Sequence, residues 1–267
     1  MPYRLVVADL DGTVRSRTLG ITEGVRRAVA EARAHGVRVC VATGRMWPSA
    51  ERWVRALGAD PPVILYNGGR VFDFATRRIL LDRRLPGEAA RRALALLRQD
   101  PAVQIHLFLN DRVYVERAHP LTERYAADDG LSYQIVPAFD ALLREDPHKM
   151  LVIGAPERVQ ALGRAVREAA VPVHAVQSEP TYLEILPHGT TKGTALLAML
   201  DALGIPPAEV IAVGDGWNDV EMLEAAGLGV AMGHAPEGVR ARADHVCGTS
   251  EEEGFREVIE RFVLGSA

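Results

Sequence analysis

The sequence has little lysine, little cysteine and no long apolar run, and each shortage narrows what the chain can be. Of its 31 basic residues only Lys149 and Lys192 are lysines, and against 35 acidic residues the net charge is −4. No basic run stands out as a footprint for nucleic acid, which is not expected as the main partner. Two cysteines, Cys40 in an apolar stretch and Cys247 in a polar one, supply neither a disulfide framework nor a metal-ligand cluster, so a reducing cytoplasm is the expected setting. No stretch approaches the roughly 20 apolar residues of a membrane span, and the first residues lack the basic-then-apolar pattern of a secretory leader. What the chain does have is apolar content, 48% of 267 residues, ample for a large core.

The apolar run 4–8, a helical pattern over 22–35, the run 37–42, a helical pattern over 48–57 and the run 62–66 spell βαβαβ. These runs are continuous rather than alternating, as strands covered on both faces are. A hairpin is expected with strands near 70–74 and 78–82. The first grammar resumes at Thr190, with helix 191–203, strand 209–214, helix 217–226, strand 228–232 and a last helix opening at Ser250. There Ser250-Glu251-Glu252-Glu253 has the spacing of a capping box. Between these parts lie helical patterns at 88–98 and 156–170, a hairpin across Asn110-Asp111, a strand at 149–154 and a second hairpin over 171–187. Strands joined by short turns favour an antiparallel sheet with helices on one face. The expected fold is α/β: a Rossmann-like, doubly wound parallel-sheet core made of residues 1–82 and 188–267, with an α+β cap domain, residues 83–187, inserted into it.

Three polar clusters follow core strands: Asp9 and Asp11 after the first, Thr43-Gly44-Arg45 after the second, and "GDGWND" 214–219 after the strand at 209–214. The carboxyl ends of neighbouring parallel strands share one crevice, so these distant residues are expected to face one ligand. Asp9, Asp11, Asp215 and Asp219 gathered there need a compensating cation. Hard oxygen donors without a His or Cys cluster point to Mg²⁺, which is usually shared with a phosphate. Backbone N–H groups around Gly12 and near Gly44 are expected to complete an anion cradle. No Ser or Cys with an activating His stands in register, whereas an aspartate is already ionised and can form an acyl-phosphate. Asp9, nearest the strand end, is the expected nucleophile, and Asp11 a general acid/base with a raised pKa.

The motifs Asp9-Leu10-Asp11-Gly12-Thr13, Thr43-Gly44-Arg45, Lys192-Gly193 within "TTKGTAL", and Gly214-Asp215-Gly216-Trp217-Asn218-Asp219 resemble those of the haloacid dehalogenase superfamily of phosphohydrolases. The likeness is to the Cof-like branch with a large inserted cap. It spans essentially the whole chain and is looser in the cap. The resemblance implies a metal held by Asp9, Asp11 (through its backbone carbonyl) and Asp215. It also implies phosphoryl contacts from Thr43, Gly44 and Asn218, charge neutralisation by Lys192, and Asp219 one layer behind. Val14, Arg15 and His234 depart from that family's pattern and are placed outside the site. Trp217 is bulky for its loop and either narrows the entrance or packs under the next helix.

Arg45 either reaches a substrate anion or pairs with a surface acid. Asn67 shapes the turn leading toward the cap or faces substrate, Lys149 is read as a rim residue, and Tyr182 and Glu184 either face the leaving group or are split between core and surface. His106, His148, His174 and His188 lack ligand spacing and are read as core or surface residues. The expected activity is Mg²⁺-dependent hydrolysis of a small phosphate ester, a sugar phosphate or phosphorylated cofactor, through an aspartyl-phosphate. The rivals are a phosphomutase, which returns the phosphoryl group to the substrate, and a regulatory module that accepts phosphate without turnover. Oligomeric state is not legible.

Overall fold

The first apolar run, LVVAD, becomes a strand whose five residues are all buried. The computed structural model describes residues 3–265. The chain begins β1 (Leu5–Asp9), α1 (Glu23–Ala34), β2 (Arg38–Ala42), α2 (Trp47–Leu57), β3 (Val63–Leu65), β4 (Arg70–Asp73) and β5 (Arg78–Asp82). It continues α3 (Gly87–Leu97), β6 (Gln104–Leu109), β7 (Arg112–Val115), α4 (Pro120–Asp129), β8 (Tyr133–Ile135), β9 (Lys149–Ile153), α5 (Pro156–Glu168), β10 (Val173–Glu179) and β11 (Tyr182–Pro187). The last stretch is α6 (Lys192–Leu203), β12 (Val210–Gly214), α7 (Val220–Ala225), β13 (Leu228–Ala231), α8 (Glu237–Arg240), β14 (His245–Val246) and α9 (Gly254–Val258). Two compact units result. One holds the segment up to Arg45, Ala50–Asp82 and the segment from Thr191; the other holds Met46–Ser49 and Arg83–Thr190. Among the described residues no helix is long and apolar enough to cross a membrane.

In the first unit eight strands run in the order β14-β13-β12-β1-β2-β3-β4-β5. The pairs from β14 through β3 are parallel and the β3-β4-β5 meander is antiparallel. Strand β1 is central: Val7 pairs with Ala212 on one side and Cys40 on the other. Parallel pairing brings Asp9, Ala42 and Gly214, the last residues of β1, β2 and β12, to one edge, where the polar segments after them meet. Helix α1 forms because Val25, Ala28, Val29 and Ala32 repeat at helical spacing and are buried, while the Thr22 side chain accepts from the N–H of Val25. One core cluster runs from Leu5, Val7 and Ile64 to Leu196 and Met199 of α6.

The second unit is a six-stranded sheet, β10-β11-β9-β6-β7-β8. Its pairs are antiparallel except β7–β8, which is parallel because α4 carries the chain across between them. Leu107, Val152 and Leu183 pack under Leu94 and Leu97 of α3 and Val159 and Val166 of α5. Asn110 and Asp111 take φ of 51° and 57°, the left-handed pair that a two-residue hairpin needs.

Two expectations shift. The capping box near the end starts one residue earlier, with Thr249 accepting from the Glu252 N–H and Glu252 accepting from Thr249, and it opens a 3₁₀ turn before α9. Helix α7 starts at Val220 rather than 217, because the segment before it is a tight turn held by Asp219.

Candidate active site

Asp9, at the end of β1, and Lys192, the first residue of α6, are 183 positions apart and in direct contact. A Thr191–Thr194 capping box fixes the start of α6 and therefore the lysine's root. The turn at Asn67-Gly68 seats that helix. Gly68 has φ of 102°, and a Cβ there would stand 2.1 Å from the Thr191 carbonyl oxygen, so only glycine lets the two segments approach. The Lys192 ammonium is fully buried, touching Asp9 and lying 2.6 Å from Asp219 Oδ1. Burial disfavours the ammonium, but Asp219 and Asp9 more than offset it and raise its pKa. For Asp9 burial dominates: it pushes the pKa well up despite Lys192, and Asp219, Asp215 and Asp11 add to the rise. The centre holds more negative charge than one lysine balances.

Asp219 is saturated. Its Oδ1 takes the lysine, and its Oδ2 accepts the N–H groups of Asp215 at 3.0 Å and Gly216 at 2.9 Å. It thereby ties down the loop that presents Asp215. On Asp215, Oδ1 accepts from Thr13 Oγ1 at 3.1 Å, and Oδ2 lies 3.4 Å from His234 Nε2. The hydrogen bond to Asp215 raises the His234 pKa. Gly12, with φ of 91°, passes so near that a Cβ would come within 2.4 Å of Asp215 Oδ2. Asp9, Asp215 and Asp219 each bring a carboxylate oxygen within 4.8 Å of the others, and among the described residues this is the cluster with metal-ligand spacing. With Asp219 engaged elsewhere, Asp9 and Asp215 are the hard oxygen donors left, a set that fits an ion such as Mg²⁺. The Asp11 carboxylate is not in that cluster.

Asp11 departs from the expected raised pKa. Arg45 binds it at both oxygens, Nε to Oδ2 at 2.5 Å and Nη2 to Oδ1 at 3.0 Å, and Arg15 Nη1 reaches Oδ1 at 2.7 Å. Burial works to raise its pKa, but hydrogen bonds and charge from Arg45, then Arg15, bring it below the usual carboxylate range. The Arg15 guanidinium lies 4.5 Å from the Trp53 ring centroid, a cation–π contact that anchors it. Arg15 and His234 therefore stand inside the site, not outside it. The spacing of Asp11 and Arg15, one helical turn apart, was a signal for the first. The turn closes back on itself, the Gly12 N–H donating to the Arg15 carbonyl at 2.9 Å. That amide is thus spent on the turn rather than left for an anion. His234, joined to Asp215 only through tertiary structure, left no local signal. Val14 is buried in the core, as expected.

Thr43, Gly44, Asn67 and Asn218 come together. The Thr43 hydroxyl accepts from the Arg45 N–H at 3.1 Å, the Asn67 N–H donates to the Thr43 carbonyl at 3.0 Å, and Asn218 Nδ2 donates to Asn67 Oδ1 at 3.0 Å. Asn67 is 1% exposed, and its Nδ2 is a buried donor with no acceptor, facing Gly44. A buried amide donor left unpaired costs roughly 1–3 kcal/mol, so this one is poised for an oxygen supplied from outside the protein. Trp217 is 52% exposed, with its ring edge where a Cβ on Gly238 of α8 would fall.

In the second unit Tyr182 and Glu184 share one face of β11, two residues apart, with Glu184 buried and Tyr182 half-buried. Lys149 is no rim residue: it is 2% exposed, 2.8 Å from Glu184 Oε2 and 4.6 Å from the Phe108 ring centroid. His106 and His148 are buried in that unit, and His188 is exposed.

The family model for haloacid dehalogenase-like hydrolases matches residues 6–259. The putative phosphatase YxeH of Bacillus subtilis is 30% identical over 98% of this chain and 99% of its own. The pyridoxal phosphate phosphatase YbhA of Escherichia coli is 29% identical over 97% of this chain and 98% of its own. The chain spans about half, 47%, of another curated relative, the chloroplastic endoribonuclease YBEY of Arabidopsis thaliana, at 29% identity over 98% of this chain. Among solved structures, a haloacid dehalogenase-like hydrolase from Bacteroides thetaiotaomicron superposes with a TM-score of 0.85 and 27% identity, covering 97% of this chain and 99% of that one.

Proposed function

The chain belongs to the haloacid dehalogenase-like hydrolases and is a phosphatase of that type; from that premise we propose that it hydrolyses a small phosphate monoester through a phosphoryl group carried on Asp9. The observation that carries the proposal is the contact of Asp9 with Lys192 at the carboxyl end of β1, with Asp215 close beside it. Asp9 attacks phosphorus with one carboxylate oxygen as the P–O bond to the leaving group breaks and that oxygen takes up a proton, and water then attacks the aspartyl phosphate, an acyl phosphate, to release inorganic phosphate and restore the carboxylate. Lys192 offsets charge on Asp9 and the transferring group as both become crowded with anionic oxygen. Thr43, the Gly44 segment, Asn218 and the unpaired Nδ2 of Asn67 receive phosphoryl oxygens. Asp11 carries the proton: as carboxylate it serves the attacking water directly, while protonating the leaving group requires Arg45 and Arg15 to yield part of their hold.

Asp9 and Asp215, with the Asp11 carbonyl, would hold a divalent ion, Mg²⁺ by the chemistry of the donors, which supplies charge neutralisation for the phosphoryl oxygens. Thr13, His234 and Asp219 keep Asp215 aimed. Leaving-group specificity is assigned to residues of the second unit, with Tyr182 and Glu184, on one face of β11, as the candidates. The relative that carries the name pyridoxal phosphate phosphatase supports a substrate of that size, a phosphorylated cofactor or sugar.

The test is a panel of phosphate esters assayed with Mg²⁺ and with chelator, for wild type and Asp9→Asn. Release of inorganic phosphate that needs the metal and drops at least about a thousandfold in the variant is expected. An isomerised ester in place of free phosphate would establish a mutase. A variant that keeps most of its activity removes Asp9 as nucleophile, and stable phosphorylation of wild type without turnover would mark a regulatory acceptor.

A further inference from the structure

The turn that folds Arg15 onto Asp11 runs on into a small loop, and that loop is held from the far end of the chain. Ser16 and Gly20 exchange both backbone hydrogen bonds, at 3.0 and 3.2 Å, closing the loop into a hairpin. Inside it the Ser16 hydroxyl, 1% exposed, accepts from the N–H groups of Thr18 at 3.2 Å and Leu19 at 2.8 Å. Its own proton goes to Glu251 Oε1 at 2.9 Å, and the Thr18 hydroxyl donates to Oε2 of the same carboxylate. One side chain, 235 positions away in sequence, grips the loop at two points.

A second carboxylate grips the exit. Thr22, whose hydroxyl caps α1, donates to Glu253 Oε1. Glu253 follows the Thr249–Glu252 capping box directly and takes the left-handed conformation, φ 59°, which a residue with a side chain adopts at a cost and keeps where its surroundings impose it. On the receiving side Gly24 makes room, since a Cβ there would stand 2.7 Å from Glu253 Oε1. Arg256 Nη1 lies 2.9 Å from the other oxygen. Hydroxyls on carboxylates are among the stronger hydrogen bonds, and all of these residues belong to the first unit.

Resting on the proton-carrying role proposed for Asp11, we infer that Glu251 is a positioning residue for the catalytic turn: by fixing Ser16 it fixes Arg15, and with it the aim of the Asp11 carboxylate. The lever is short. Ser16 follows Arg15 directly, and Arg15 is tied to the turn twice, its carbonyl accepting from the Gly12 N–H and its guanidinium donating to Asp11. A loop freed at Ser16 lets Arg15 turn, and a small misplacement of a proton-carrying group slows the chemical step more than it weakens binding.

The experiment compares wild type, E251A, E251Q, R15M and R15M/E251A by steady-state kinetics on p-nitrophenyl phosphate with Mg²⁺, by melting temperature and by amide hydrogen exchange. In E251A kcat is expected to fall about tenfold with KM within about twofold, and exchange over residues 12–20 to quicken. E251Q, with an oxygen for Ser16 and an amide group for Thr18, should recover most of both. Once Arg15 is gone, adding E251A should change kcat by less than about twofold, as for residues that act through one another. A wild-type kcat in E251A overturns the inference. So does unchanged exchange over 12–20, or a further loss of about tenfold in R15M/E251A, which makes the effect of Glu251 one of general stability. Glu251 is exposed, so E251A is expected to fold; should its melt lose cooperativity, T18V, also at an exposed position, carries the same comparisons. If wild type releases no phosphate, the function proposed for Asp9 falls, and the exchange data alone decide the role of Glu251.

Discussion

Arg45 and Asp11 form a two-point ion pair, with a nitrogen of the guanidinium on each carboxylate oxygen at 2.5 and 3.0 Å, and Arg15 adds a third bond at 2.7 Å. A carboxylate so held stays ionised at lower pH than usual. An activity that needs Asp11 as base is lost as pH falls through its pKa, so the pair extends activity on the acid side. Replacing Arg15 with Met removes one of the two positive charges and raises that pKa. The acid limb of the kcat/KM profile is expected to move to higher pH, with Arg15→Lys restoring part of the shift. A limb that stays in place in Arg15→Met shows that Arg15 does not set the state of Asp11.

Lys192→Met should cost both stability and turnover. It leaves Asp9 and Asp219 buried without their shared cation, and breaking a buried pair this way costs about 3–5 kcal/mol. The urea midpoint and melting temperature both fall. Adding Asp219→Asn should recover part of the stability and none of the activity, which separates the lysine's structural load from its role beside Asp9.

Gly12→Ala forces a choice between a φ of 91° and a collision with Asp215 Oδ2 at 2.4 Å. Asp215 gives way because it sits on a loop end. Affinity for Mn²⁺ or Mg²⁺, measured by titration, should drop about 10- to 100-fold, as it does when a ligand's support is disturbed. Unchanged metal affinity would show that Asp215 is not a ligand.

His106 makes the second unit acid-sensitive. Burial pushes its pKa down from 6.5 to about 4, and the nearby positive charge of Lys149 acts in the same direction. Neutral, it donates from Nδ1 to the Leu151 carbonyl at 3.3 Å and accepts at Nε2 from Thr122 Oγ1 at 3.0 Å. Between pH 6.5 and about 4 the unfolded chain binds this proton and the folded one does not, so stability falls as pH falls, by up to about 3 kcal/mol at the lower limit. His106→Gln should flatten that slope, as followed by thermal melts across the range. An unaltered slope would assign the sensitivity to other groups.

The strands and most helices were legible because continuous apolar runs and helical spacing act locally. Asp9, Asp215, Lys192 and Asp219 were legible because each follows or opens an element, and parallel pairing does the gathering. The state of Asp11 was not. It depends on how the turn after β1 folds Arg15 back and on where Arg45 lands, and neither follows from residue type. His234 reaches Asp215 from a loop that no periodicity places. Lys149 reads as a surface cation until β9 and β11 pair and set it beside Glu184.

The central position of β1 has a consequence for synthesis. Its partner on one flank, β12, begins at Val210, so a chain leaving the ribosome holds β1 with one edge open until the segment from Val210 has been made. During that interval Asp9 also lacks Lys192, and the exposed edge is a hazard for mispairing. The second unit, whose sheet draws only on residues 104–187, emerges complete before the first can close. The first unit is therefore the last to assemble, and its yield in the cell is expected to depend on chaperones more than that of the second.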